Sequence, residues 1–221
     1  MLGETITSQA LMIALRWAYD QVVAPKLKGN LNAVPASDEH IMRIIRWTAA
    51  QAGAVGFASN IGGLLTLPVA LPANIAGVSA LQIHMVQEIA RARGHDLSSE
   101  QVKTLTIACL AGGAVVDLLK SLGVNASVRV AQQAVTQLST QTLARISQAI
   151  GAKLVARAGG QGLANLARFV PLVGGVVGGS VDVAATLGIA AAAKRVFPRL
   201  ILPMLEMPTV TEPRALAAPV A

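Results

Sequence analysis

The stretch "LLTLPVALPANIAGVSALQIHMVQEIARARGHD", residues 64–96, begins as apolar as a membrane segment and ends as charged as a solvated helix. Whether it enters a bilayer or lines a protein core decides how the rest of the chain is read. From Trp47 to Gln87 there is no Asp, Glu, Lys or Arg. A bilayer crossing takes roughly 20 apolar residues, so a helical hairpin turning at "LPVALP" has the length for two. Against that stand Gln51, Ser59, Asn60, Thr66, Asn74, Gln82, His84 and Gln87. Each is costly against hydrocarbon and tolerable in a core that supplies partners. The expectation is a helix, break, helix unit buried by protein.

A second apolar run, Phe169 to Ala193, carries Asp182 in its middle. An ionised carboxylate at mid-bilayer depth costs about 2.5–3.5 kcal/mol even on the lenient insertion scale. The same reading follows, a protein core. Within this run "GGVVGG" sets Gly174 against Gly178 and Gly175 against Gly179, one helical turn apart. Such pairs let two backbones approach closely, and close helix packing is what they predict. No Gly-Lys-Ser or Gly-Lys-Thr follows, so the glycines do not read as a phosphate cradle.

Composition agrees with a large apolar interior. The chain has 221 residues, 53% of them hydrophobic and 13% charged, with a mean hydropathy of +0.58; ordinary soluble domains carry roughly 25% charged residues. Its aromatics are Trp17, Tyr19, Trp47, Phe57, Phe169 and Phe197. They are too few for an aromatic belt or for stacking many bases, which makes nucleic acid a poor partner. Net charge is +7 and unevenly placed. From Leu118 to Val181 there is no acidic residue, while Lys120, Arg129, Arg145, Lys153, Arg157 and Arg168 are basic. That segment predicts an anionic partner. Cys109 is the single cysteine and sits in apolar "TLTIACLAGG", as a buried structural thiol does. A lone thiol and an N-terminus without a basic n-region point to the cytoplasm.

Nearly every segment reads as helix. Residues 5–24 place Ile6, Leu11, Leu15, Ala18 and Val22 at threes and fours before Pro25. Ser37 caps a second helix with Asp38 and Glu39 in its first turn. Pro72 opens the next, which runs to about Arg93 with Gly94 as its C-cap. Ser98 and Gln101, spaced as a capping box, start a helix ending near Gly123. Residues 126–157 form one long polar helix with a stripe through Ile146, Ile150 and Leu154. Period-two, β-branched strand signals are scarce. The fold class is all-α, a compact multi-helix bundle with two Gly-rich apolar hairpins. It is one domain over 1–206, and 207–221 is expected to be a disordered tail.

Chemistry-bearing constellations are thin. His84, Glu88 and Arg91 share a helix face, the pattern of a polar network more than of a metal site, which would need a third ligand. Asn74, Asp117 and Asp182 are the candidates for buried polar contacts. Asp117 has Lys120 one turn on, and Asp182 has no basic residue within a turn. No catalytic residue, metal or cofactor is expected.

The words "ALRWAYDQVV", "GFASNIGGLLTLPVALPANIAGVSALQIHMVQEIARARGHDLSSEQVKTLTIACLAGGA" and "NLARFVPLVGGVVGGSVDVAATLGIAAAAKRVF" resemble the EcsC family of bacterial proteins in order and spacing. The resemblance covers nearly the whole chain. It implies a helical protein with a membrane-linked role, near a membrane or transporter-linked partner. It carries no reaction and no catalytic residue. The expected function is thus a non-enzymatic, cytoplasmic protein at the inner face of the membrane. Arg145, Lys153 and Arg157 would meet anionic membrane lipid. The alternatives are a soluble helical adaptor for another protein and an enzyme acting on lipid.

Overall fold

A computed structural model of the chain describes residues 11–21, 36–61, 67–122, 138–164 and 171–200, without the side chains of 59–61, 67–76, 155–164 and 171–174. The described residues form seven α-helices and no strand. They are α1 (11–21), α2 (Asp38–Ile61), α3 (Leu67–Ala92), α4 (Glu100–Cys109), α5 (Gly113–Ser121), α6 (Thr140–Ala164) and α7 (Pro171–Val196). Residues 22–35, 123–137 and the expected tail at 207–221 lie outside the described residues.

Local chemistry sets most of the helix ends. The Ser37 hydroxyl accepts from the His40 N–H at 3.2 Å, and Asp38 and Glu39 follow in the first turn of α2. α3 closes in a Schellman motif. Gly94 sits at φ +90°, its N–H reaches the Arg91 carbonyl at 2.9 Å, and the His95 N–H reaches Ala90 at 3.0 Å. Pro171 stands at the first position of α7, where its missing N–H has no helical partner to lose.

Four boundaries differ from the sequence expectation. α3 begins at Leu67, not at Pro72. Pro68 thus falls in the unpaired first turn, and Pro72 gives up a single intrahelical bond. Ser99, not Ser98, caps α4 by accepting from the Val102 N–H at 3.1 Å. Ser98 is instead held by the Asp96 carboxylate, which accepts from both its N–H and its hydroxyl. The helix expected to run on to Gly123 breaks after Cys109 into α4 and α5. The turn at 110–112 contains Gly112 at φ +62°, a conformation that Cβ-bearing residues rarely adopt. The single helix expected over 126–157 does not run unbroken, because residues 138 and 139 are not helical and α6 starts at Thr140, with the Ser139 hydroxyl accepting from the Thr142 N–H at 3.2 Å.

α4 is the centre of the bundle. Val102 and every residue from Thr104 to Cys109 are buried, so it has partners all round. α3, α6 and α7 pack on it, and α1 reaches it through the Arg16–Glu100 and Lys103–Asp20 ion pairs. The second half of the opening stretch belongs to the same core. Ile83, Met85, Val86, Gln87, Ile89 and Ala90 are fully buried. Its polar side chains find protein partners: Gln82 donates to the Thr186 hydroxyl at 3.1 Å and Gln87 to the Tyr19 carbonyl at 3.3 Å.

α2 lies along α7 and also packs on α3. The α2–α7 pair is antiparallel, and glycines face each other across it. A Cβ on Gly179 would stand 2.8 Å from the Gly53 carbonyl oxygen, and one on Gly53 would stand 2.7 Å from Val183 Cγ2. A Cβ on Gly175 would meet the Phe57 ring at 2.9 Å, and one on Gly56 would collide with the Asp182 carboxylate. Gly188, also inside α7, faces open space.

These two environments separate packing from propensity. An alanine in mid-helix stabilises by about 0.8–1.0 kcal/mol over glycine when nothing obstructs it. Gly188→Ala is expected to raise the melting temperature. Gly179→Ala, blocked by backbone, is expected to destabilise by about 1–3 kcal/mol. Thermal melts by circular dichroism check both, and equal shifts in the same direction would contradict the seam.

Candidate functional site

Three polar constellations occupy the interior. Where α1 meets α3 and α4, the Tyr19 hydroxyl donates to the Leu97 carbonyl at 2.8 Å. Burial, with the charges of Asp20 and Asp96 adding to it, pushes the phenol well above its usual range, so it stays protonated. On α3, Glu88 is buried and receives two bonds from the Arg91 guanidinium, at 2.6 and 3.2 Å. His84 on the same helix is exposed. The face that the sequence suggested was solvated is therefore wet only in part.

The third constellation ties together three helix ends. The Arg93 guanidinium donates to the carbonyls of Lys194 at 2.6 Å and Phe197 at 2.9 Å, satisfying acceptors that α7 leaves open at its C-terminus. The Leu200 N–H returns to the Arg93 carbonyl at 2.9 Å, and the Ala36 N–H reaches Ala92 at 3.0 Å. Arg199 bonds the Ala36 carbonyl at 2.9 Å and approaches Asp38 at 3.4 Å. His95 is buried here, with Nε2 2.8 Å from the Pro198 carbonyl and its ring edge-on to Phe197 at 5.2 Å. Burial depresses its pKa, and the nearby Arg93 charge acts in the same direction.

Cys109 is fully buried, and burial alone pushes its thiol far up, away from the reactive thiolate. Among the described residues no group of three or more His, Cys, Asp or Glu side chains is placed to hold a metal.

The residues singled out from sequence are scattered. Arg145 and Lys153 are exposed on α6, whose inner side is Ile146 and Ile150. Helical periodicity turns position 157 about 120° from position 145. The side chains of Arg157 and Asn74 lie outside the described residues. Asp117 is exposed, which corrects its place among the buried polar candidates. It projects from α5 opposite the buried Val115 and Leu119. Asp182 is half-buried, its carboxylate over Gly56 and its carbonyl accepting from the Thr186 hydroxyl at 2.7 Å. Gly175, Gly178 and Gly179 are buried. Gly174 lies in α7 just before the stretch whose surroundings are described.

Among the described residues, apolar side chains are exposed on α1, at Ile13 and Trp17, and along faces of α7 and α2. On α7, Val176, Ser180, Val181, Ala184, Leu187, Gly188 and Ala191 are exposed, and none of these is charged. Val176 is 63% exposed and Leu187 47%. On α2, a groove of about 520 Å³ is lined by Glu39, Met42, Arg43, Arg46, Trp47 and Ala50, and Trp47 is 67% exposed. The sequence reading passed over this α2 face. Spacings of three and four among its members were the available signal.

The model of the EcsC protein family matches residues 11–201 of the chain, nearly its full length. No protein of curated function matches, and no solved structure does.

His95 gives the site a measurable pH signature. The folded protein holds it neutral below the pH at which the unfolded chain binds a proton, about 6.5. Its contribution to stability is therefore complete above about pH 6.5 and declines as the pH falls below that value. The melting temperature is expected to drop between about pH 6.5 and 5, and His95→Gln is expected to flatten that drop. An identical pH profile in the variant would show that His95 does not titrate on unfolding.

Proposed function

Taking as premise that the chain belongs to the EcsC protein family, we propose that it is a helical protein that binds the surface of anionic membranes without spanning them. The observation that carries this reading is the open side of α7. Gly175–Val196 is long and apolar enough to cross a membrane by length and composition, at a mean hydropathy of 1.6, and only 39% of its most apolar window is buried. Large uncharged apolar surfaces left in water mark a place where something else binds. Surface contact suits it better than a crossing. The other side of α7 is packed against α2, α3, α4 and α5, and Asp182 would enter hydrocarbon at a cost of about 2.5–3.5 kcal/mol.

Charge supports lipid as the partner. The exposed Arg145 and Lys153 belong to a segment with no acidic residue. A basic residue near an anionic surface contributes about 1 kcal/mol. The position this implies is the cytoplasmic face of the membrane, with no chemistry performed on the lipid.

Co-sedimentation with vesicles tests the reading. The protein is expected to bind phosphatidylglycerol-containing vesicles and to bind neutral phosphatidylcholine vesicles weakly. Binding should fade with salt as the Debye length shrinks from about 10 Å at 0.1 M to about 3 Å at 1 M. Neutralising Arg145, Lys153 and Arg157 together is expected to weaken it while helicity stays unchanged. A protein adaptor would ignore lipid charge, and absence of binding to either vesicle would refute the proposal.

A further inference from the structure

The outward face of α2 is the second exposed feature that the interior does not explain. Ile41, Ile45, Thr48, Ala49 and Ala52 are buried on the inner side of the helix, and Glu39, Arg43, Arg46, Trp47, Ala50 and Ala54 are exposed on the other. The exposed residues are not a mixed, solvated set. Charge is confined to the first turns, and beyond Arg46 the helix carries none. Phe57, 37% exposed, continues the apolar side next to Gly175 of α7.

We propose that this face, together with the open side of α7, forms the surface that seats on an anionic phospholipid bilayer. Trp47 and Met42 lie at the boundary of headgroup and acyl chain, and Arg43 and Arg46 lie on the phosphates. The proposal rests on the membrane-binding reading and adds the docking surface to it.

Charge complementarity selects the occupant. Arg43 has only the highly exposed Glu39 near it, at 4.0 Å, a weak pair in water. Among the described residues no carboxylate lies within ion-pair distance of Arg46. Two arginines with so little internal compensation favour phosphate, which a guanidinium binds through two parallel hydrogen bonds. One turn on from Arg43 and next to Arg46 stands the Trp47 indole. Tryptophan collects at membrane–water interfaces because its ring is apolar and its N–H is polar. An acidic peptide would use the arginines and leave the uncharged run from Trp47 through Ala50 and Ala54 to Phe57 in water. A bilayer covers both parts at once, as it does for an interfacial amphipathic helix.

The test follows the fluorescence of Trp47 in the full chain carrying Trp17→Phe, with vesicles of phosphatidylcholine and phosphatidylglycerol whose acyl chains are brominated. The expected result is a blue-shifted Trp47 emission, quenched by the brominated lipid in anionic vesicles only. Arg43→Gln with Arg46→Gln should weaken vesicle binding by about fivefold per arginine, about thirtyfold together, with an unchanged circular dichroism spectrum. If that pair of substitutions disturbs folding, Trp47→Ala gives a second measure and should weaken binding in the same assay. Co-sedimentation of the parent with Trp47 unquenched and the double variant binding equally well would overturn the α2 placement and leave the membrane reading standing. A parent that does not bind vesicles at all would remove the membrane reading and this placement with it. Equal affinity for soluble polyglutamate, with Trp47 unquenched, would assign the face to an acidic protein and overturn the proposal.

Discussion

The contact on which the bundle depends is the glycine seam between α2 and α7. Gly53 on one helix faces Gly179 on the other and Gly56 faces Gly178, so closely that a methyl group on Gly179 would stand 2.8 Å from the Gly53 carbonyl oxygen and one on Gly56 3.1 Å from that of Gly178. Little side-chain area is buried at the centre of such a contact. Its stability comes from dense packing and from the larger groups that close over it, Val183 across Gly53 and the Phe57 ring across Gly175. The seam also decides what is left outside. Helix rotation that turns the glycines of α7 toward α2 turns Val176, Ala184 and Leu187 away. An exposed apolar face is thus a geometrical consequence of the close approach. It is not a packing failure.

The Arg93 constellation adds hydrogen bonds of fixed geometry at one end of the seam. A single guanidinium satisfies two carbonyls at the end of α7 while its own backbone receives Leu200 and its neighbour Ala92 receives Ala36. The start of α2, the end of α3 and the end of α7 are thereby held together. Both bonds come from one nitrogen, Nη1, whose two hydrogens are held at fixed angles in the guanidinium plane. Gly94 is part of the same device. Its left-handed conformation turns the chain so that His95 points back into the core, against Phe197.

Features set by one residue and its immediate neighbours were legible from sequence. Ser37 and Gly94 each act through their own backbone or side chain within a turn, and each stands at the boundary expected of it. The all-α class was legible for the same reason, because apolar spacing is a local property. What failed needed a choice between equivalent neighbours or knowledge of another helix. Ser98 and Ser99 both match an N-cap, and only the competing carboxylate of Asp96 decides between them. The break at 110–112 depends on which of several glycines adopts a positive φ. Asp117 follows glycines in an apolar helix much as Asp182 does. Only the packing of α5 shows that Asp117 projects into solvent.

The polar residues of the opening stretch also bear on how membrane contact would work. Gln82, Gln87 and Glu88 are buried on α3, and each holds a partner, respectively Thr186 of α7, the Tyr19 carbonyl of α1 and Arg91. Moving α3 into hydrocarbon would break the contacts to Thr186 and Tyr19 and would carry the Glu88–Arg91 pair, which lies within α3, out of its place in the bundle. It would also leave the partner groups inside the protein unsatisfied, at roughly 1–3 kcal/mol for each buried donor or acceptor. Stability of a domain totals only about 5–15 kcal/mol, so release of α3 is equivalent to unfolding. The outer faces of α2 and α7 carry no such links to the interior. Contact through them leaves the core, the seam and the Arg93 constellation intact, and a bundle built this way meets a membrane from outside.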